Sequence, residues 1–412
     1  MKKFILSAVA AVTVAFSALA VAPQSAEAIP AFARQTGAAC LSCHFQTFPA
    51  LTAFGRSFKQ GGFTDVGEQA LIEDEHMSIP STLNATVVLR PQFAQAKVSG
   101  NATAALNTTT KSATLPADQV LLIAGRVGTN TGAFIEAGGP AFGFANFQLM
   151  NSFDLGGFKA GVNIFNTGFG ETAGIELSNV FGQHGGNLAG KSISAANSIK
   201  SAGGNTGGVA FWGGNSLVNA SVSLLSDGLA LGGVDTGFKL ANSLRVFVTP
   251  EVGGFGLGVG FGSTQGTTGN ANTIAAIPAL LGATTLKMEK QFIDFQAEGD
   301  LGGVSLGVYA DFAKAKGSSG TTINLFNLTA GDLTGNHVRV AVKPTHNLLF
   351  GAGFGSMKKA AAGAVAATTT KSTLIAGTYE VYQNFEITLS NLASKAGNVK
   401  TDTWTLDIEA LM

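Results

Sequence analysis

From Leu83 to the C-terminus, apolar side chains recur at every second position, and this alternation restricts the fold more than any other feature of the chain. Phe158, Ala160, Val162 and Ile164 alternate with Lys159, Gly161 and Asn163. Val304, Leu306, Val308, Ala310 and Phe312 alternate with Ser305, Gly307, Tyr309, Asp311 and Ala313. Val338, Val340 and Val342 face away from Arg339 and Lys343, and Trp404, Leu406, Ile408 and Met412 lie opposite Thr405, Asp407 and Glu409. A period of two belongs to strands with two unlike faces. Each segment supplies the ~9–11 residues with which a tilted strand crosses a bilayer. Only 12% of the residues are charged, about half the share in an ordinary soluble protein.

Glycine follows the same alternation. In GFGLGVGFG, Phe255, Leu257, Val259 and Phe261 share one face, while Gly254, Gly256, Gly258, Gly260 and Gly262 share the other. Phe350 and Phe354 repeat this against Gly351, Gly353 and Gly355. An apolar outer face backed by a nearly bare inner face suits a barrel wall that leaves room inside. The same glycines would suit a dinucleotide loop only if a tight turn and a helix start followed, and neither does. Polar, small-residue stretches at 101–117, 182–207, 263–285, 315–333 and 358–372 separate the segments. Long loops alternating with short turns are the pattern of outer-membrane barrels, and the segments amount to roughly 16 strands. The expected fold is therefore an all-β transmembrane barrel, set against a soluble sandwich or solenoid, which would expose more charge. Two features are atypical. Tyr is 3 and Trp 2, so an aromatic girdle must be built from the 30 Phe, and the chain ends in Met412 rather than an aromatic residue.

The N-terminus reads as an export signal. Lys2 and Lys3 precede an uncharged stretch from Phe4 to Ala22, and Ala26-Glu27-Ala28 fits a small-residue cleavage site. An uncleaved anchor is the alternative reading. The expected organisation is a signal over 1–28, a short helical segment and linker over 29–80, and the barrel over 81–412. Lys+Arg and Asp+Glu are both 25, so there is no basic excess to hold a nucleic acid.

The only cysteines stand in Cys40-Leu41-Ser42-Cys43-His44. A redox dithiol at this spacing belongs in a βαβ setting, which is missing, and a structural zinc needs a second ligand pair, also missing nearby. One covalently bound c-type haem uses two thiols for attachment and a histidine directly behind them for the iron. Cys40 and Cys43 are the expected thioether positions and His44 the proximal ligand. His76 and Met77, together in EDEHMSIP, are the candidate distal ligands, with an open sixth position as the third option. Glu73, Asp74 and Glu75 form either a solvated hinge or a docking point for a hard cation such as Fe(II). Phe45, Phe48, Leu51, Phe54 and Phe58 recur at roughly helical spacing, as a stripe that would pack on the cofactor.

The stretch IPAFARQTGAACLSCHFQTFPALTAFGRSFKQGGF, from Ile29 to Phe63, resembles the opening of the fused monohaem cytochrome–porins, the outer-membrane iron oxidases of Fe(II)-oxidising bacteria. The matching pieces are Phe32-Ala33-Arg34, Thr36-Gly37, the CxxCH, Phe48-Pro49 with Leu51, Phe54-Gly55, Phe58 and Gly62-Phe63. Over the remainder the likeness is architectural. The resemblance implies an outer-membrane protein that takes electrons from extracellular Fe(II) through one haem and passes them to a periplasmic cytochrome. Two other functions are set beside it: a solute-conducting porin whose haem segment is a plug or redox sensor, and a periplasmic haem protein that does not span the membrane.

Overall fold

The computed structural model describes residues 30–67, 69–138, 143–167, 174–181, 193–228, 239–269, 283–363 and 365–412. The expected signal, residues 1–28, lies outside the described residues.

Sixteen strands form a closed antiparallel barrel. They are β1 (Ala85–Ser99), β2 (Thr109–Gly128), β3 (Thr131–Gly138), β4 (Gly143–Asp154), β5 (Lys159–Thr167), β6 (Thr206–Gly214), β7 (Val218–Asp227) and β8 (Ala241–Val248, resumed at Glu251–Val252). They continue as β9 (Phe255–Gln265), β10 (Lys290–Leu301), β11 (Val304–Ala315), β12 (Leu333–Thr345), β13 (Leu348–Lys359), β14 (Thr368–Tyr382), β15 (Phe385–Ala396) and β16 (Val399–Leu411). Closure comes from β16 on β1, where Lys400 pairs with Ser99 and Leu411 with Val88. A closed barrel leaves no strand edge unpaired, which a lipid-facing sheet requires. Thr249-Pro250 interrupts β8 where proline has no N–H to give the ladder.

One end of the barrel carries short turns. Gly253-Gly254 and Gly302-Gly303 are two-residue hairpin loops with both residues at positive φ, the backbone that tight hairpins need. The connections from β5 to β6 and from β9 to β10 are longer and start from strand ends at the other end. β1 begins and β16 ends at the short-turn end, so residues 30–80 enter the barrel from there. Short turns mark the periplasmic end of such barrels and long loops the extracellular end.

The two faces are inverted relative to a soluble protein. Val259, Phe261, Ile293, Phe350 and Ile375 are exposed on the outside, while Arg245, Asp294, Gln296, Asp311 and Arg339 are buried within. Alternation predicts both sets.

The bare inner face of β9 does not leave the room it suggested. A Cβ on Gly260 would strike the Arg245 guanidinium and the Asp294 carboxylate, and one on Gly262 would strike the Phe292 ring. Arg245 on β8 reaches past these glycines to Asp294 on β10 at 2.6 Å and to Glu176 at 3.0 Å. The glycines make space for an arginine, not for solvent.

Two inserts fill the lumen. The first is the N-terminal segment, with α1 (Pro30–Thr36), the single turn α2 (Cys40–Cys43) and α3 (Ala53–Gln60). Its hairpin of Leu71–Glu73 and Ser78–Pro80 leads into β1. The second is part of the β5–β6 connection, residues 174–181 and 193–205, including α4 (Ala195–Ser198). Asn179 ties the two together, donating to the Leu51 carbonyl at 2.9 Å and accepting from the Leu51 amide at 2.6 Å. It also donates to Glu298 on the wall at 2.6 Å. Ser194, Ala195 and Ala196 are anchored on Asp311.

Candidate functional site

The N-terminal segment is bonded to strands around the whole bore. Ala31 N donates to Thr86 on β1 at 2.9 Å, and Arg34 to the Ala85 carbonyl at 2.8 Å. Gln46 donates to the Ser305 and Ala341 carbonyls on β11 and β12 at 3.0 and 3.2 Å. Thr47 donates to Glu386 on β15, Lys343 on β12 donates to the Gln46 carbonyl, and Ser152 on β4 donates to the Gln60 carbonyl. Arg56 pairs with Glu298 on β10 at 3.7 Å. The segment is a plug in the short-turn half of the barrel.

Local sequence explains its shape. Pro30 begins α1 with the φ that a first helical turn needs, and Gly37 ends it at φ +68, with its N–H on the Ala33 carbonyl at 2.8 Å. Thr52 caps α3 by accepting from Gly55 N at 3.1 Å. The expected stripe from Phe45 to Phe58 does not form one helix. Pro49 disfavours helical backbone at Phe48, and 44–52 instead folds back on itself. Phe45 N donates to the Ala50 carbonyl at 2.7 Å and Thr52 N to the Cys43 carbonyl at 2.9 Å. Phe54 ends up 51% exposed, whereas Phe58 is buried.

This fold-back lays α3 directly on the CxxCH turn. A Cβ at Gly55 would overlap the Cys43 carbonyl oxygen and stand 3.0 Å from its carbon. Glycine is required there by close backbone approach, which accounts for Gly55 in the N-terminal motif.

Cys40, Cys43 and His44 all line one cavity. Cys40 and Cys43 stand at i and i+3 of one turn, on the same side of it, and neither is in a disulfide. Burial pushes the Cys43 thiol up, keeping it protonated at neutral pH. Burial likewise lowers His44 to about 4, against weaker raising contacts from the Ala50 and Pro49 backbone. Its Nδ1 stands 3.2 Å from the Ala50 carbonyl. A carbonyl only accepts, so Nδ1 carries the proton and Nε2 keeps its lone pair, the arrangement of a metal-ligating imidazole. The Phe48 ring meets His44 edge-on at 5.2 Å.

The walls come from both parts of the chain. Phe32, Phe48, Leu51, Phe58 and Phe63 line the cavity from the plug, and Leu122, Phe134, Glu136 and Gln148 line it from β2, β3 and β4. Phe32 stacks on Phe63 at 5.1 Å and on Phe134 at 6.4 Å. Two thiols, a neutral imidazole and apolar walls are the donor set and lining that a c-type haem needs, so the residues fit the group.

Not every expected site residue comes to this cavity. His76 and Met77 lie in the exposed turn of the Leu71–Pro80 hairpin and do not line it. The strand pairing of Glu73 with Ser78 places this turn apart from the cavity. Glu73, Asp74 and Glu75 are not gathered either. Glu73 accepts from Ser78 at 2.5 Å and stands 3.8 Å from Arg126, while Asp74 accepts from the His76 amide at 2.7 Å. Among the described residues no group of three or more His, Cys, Asp or Glu is placed to hold a metal ion. Arg126 is close to the short turn after β2, so this hairpin sits at the periplasmic end, the wrong side for an extracellular ion. Sequence reading missed Phe134, Glu136 and Gln148. The signal was present: alternation puts Phe134 and Glu136 on one face of β3, and Gln148 with Met150 on one face of β4, opposite the exposed Phe147 and Leu149.

Comparison with solved structures places the fold. The anion-selective porin from Comamonas acidovorans superposes with a TM-score of 0.50 at 12% identity, covering 80% of this chain and 99% of that one. This is a bacterial outer-membrane β-barrel. OmpT, an outer membrane protein of Vibrio cholerae, gives a TM-score of 0.49 at 9% identity over 83% of this chain and 99% of its own. At such identities the likeness is one of fold, and it lies in the barrel. No family model and no curated protein matches the chain.

Proposed function

We propose that this barrel is an outer-membrane electron-transfer protein, housing one covalently attached c-type haem in its plug, taking electrons from extracellular Fe(II) and handing them to a periplasmic carrier. One observation carries the reading: Cys40, Cys43 and His44 line a single apolar cavity whose far wall is the barrel itself. When bound, the haem would supply a one-electron couple. The chain does the rest. Cys40 and Cys43 would hold the group through thioether bonds, and His44 would ligate the iron through Nε2, oriented by the Ala50 carbonyl. Phe32, Phe58, Phe63 and Phe134 give the cavity apolar walls, which would lower the local dielectric around the group and so tune its potential. The periplasmic-half position of the cavity suits delivery to a periplasmic acceptor. Fe(II) as donor rests on the resemblance of the N-terminal segment alone.

A second reading is a solute-conducting porin with a haem-bearing plug, supported by the likeness of the barrel to an anion-selective porin. Bonds from the plug to β1, β4, β10, β11, β12 and β15 weigh toward electrons rather than solutes. The test is rapid mixing of anaerobic Fe(II) with the oxidised, detergent-solubilised protein, following haem absorbance. Fast, complete reduction supports the proposal. Reduction by a strong chemical reductant but not by Fe(II) removes iron as donor, and solute flux through reconstituted barrels would favour the second reading.

A further inference from the structure

We infer that the haem cavity would leave a coordination position open to water or a small exogenous ligand, with Gln148 as its hydrogen-bond partner. This rests on the haem reading above. Among the described lining residues His44 is the one imidazole, and none is a methionine. Met150 shares the inward face of β4 with Gln148 but is fully buried in one cluster with the wall residues Phe58 and Phe63 and does not itself line the cavity. Lys59 lines the cavity, yet its Nζ donates to the Glu176 carbonyl at 2.7 Å and is held toward the β5–β6 insert. Among the described residues that line the cavity, none therefore presents a strong-field partner for His44.

Gln148 is presented instead. It is 5% exposed and lines the cavity from the barrel side, and its Oε1 has no hydrogen-bond partner. It pairs across the sheet with Phe134, which lines the same cavity. A buried amide oxygen without a partner is costly, and native structures retain one where water or a ligand completes it. A primary amide has an acceptor and two donors, so it accepts from a coordinated water and donates to a coordinated anion such as azide. The ligand class is a small molecule of two or three atoms.

The experiment uses the full-length holoprotein in detergent. Haem is first quantified as its pyridine complex, then the reduced protein is titrated with CO and the oxidised protein with azide, read by Soret absorbance. The expected result is CO binding by the reduced form and azide binding by the oxidised form. Gln148→Leu should weaken azide by about 3–10-fold, the effect of one lost hydrogen bond, with haem content and CO binding retained. Gln148→Glu, which keeps the side chain's length, should weaken azide further by placing a carboxylate beside the anion. A haem-loaded protein that is low-spin and refuses CO overturns the open position while leaving the haem reading intact. Absence of haem overturns that reading instead. Unchanged azide affinity in both variants removes Gln148 from the site.

Discussion

Gly55→Ala is the sharpest test of how the CxxCH turn is held. The added methyl would overlap the Cys43 carbonyl oxygen and stand 3.0 and 3.2 Å from the Cys43 carbonyl carbon and Cα. All three are backbone atoms, so no rotamer change relieves the clash. Restoring ordinary contact requires α3 to move by on the order of 1 Å from the CxxCH turn. That movement stretches the bond from Thr52 N to the Cys43 carbonyl, now 2.9 Å. Overpacking costs about 1–3 kcal/mol and the strained hydrogen bond about 1 kcal/mol. Alanine returns about 1 kcal/mol through its better helix propensity. The clash wins, by about 1–3 kcal/mol. The docked plug should lose roughly ten- to hundred-fold in its equilibrium against detachment. The assay is haem per chain, together with protease protection of residues 30–80 in intact outer membranes. Gly128→Ala is the control, since a methyl there meets nothing within 4 Å. If Gly55→Ala keeps wild-type haem content and protection, the reasoning about backbone approach is wrong.

Other predictions concern the lumen. Arg245→Ala leaves Glu176 and Asp294 buried without their cation, which should cost about 3–5 kcal/mol and lower the temperature at which the barrel loses its heat-modifiable gel mobility. Gly260→Ala disturbs the same group, so the two losses should be less than additive in a double-mutant cycle. Burial pulls Lys59 from 10.5 down to about 8, against an opposing attraction from Glu176. Between these values the unfolded segment binds more protons than the docked one, so plug protection should strengthen from about pH 8 to about pH 10.5. That gain should vanish in Lys59→Met. Deleting residues 30–80 should raise single-channel conductance in planar bilayers above that of the intact chain; equal conductance would show that the plug does not block the bore.

The barrel was legible because alternation states directly which residues face lipid. Val259 and Phe261 could go nowhere but outward once Gly258, Gly260 and Gly262 shared the other face. What those glycines face was not legible, because Arg245, Phe292 and Asp294 lie on neighbouring strands and strand pairing is not written in local pattern. That Cys40, Cys43 and His44 stand together at one cavity was legible for the opposite reason. Cys40, Cys43 and His44 are adjacent in sequence and need only one helical turn to act together. Its far wall, Leu122, Phe134, Glu136 and Gln148, comes from three strands that meet the plug only when the barrel closes. His76 and Met77 are near the CxxCH in sequence, but that nearness does not place them at the cavity. The hairpin from Leu71 to Pro80 turns them away. Pro49 was the residue that should have broken the supposed helix from Phe45 to Phe58.

The most direct measurement is the covalent haem content of the exported chain, from intact mass and in-gel haem peroxidase activity after full denaturation. The account predicts one haem per chain that survives denaturation, with neither Cys40 nor Cys43 open to alkylation and no attachment in Cys40→Ala/Cys43→Ala. A folded barrel in the outer membrane with no haem mass and two alkylatable thiols would contradict it.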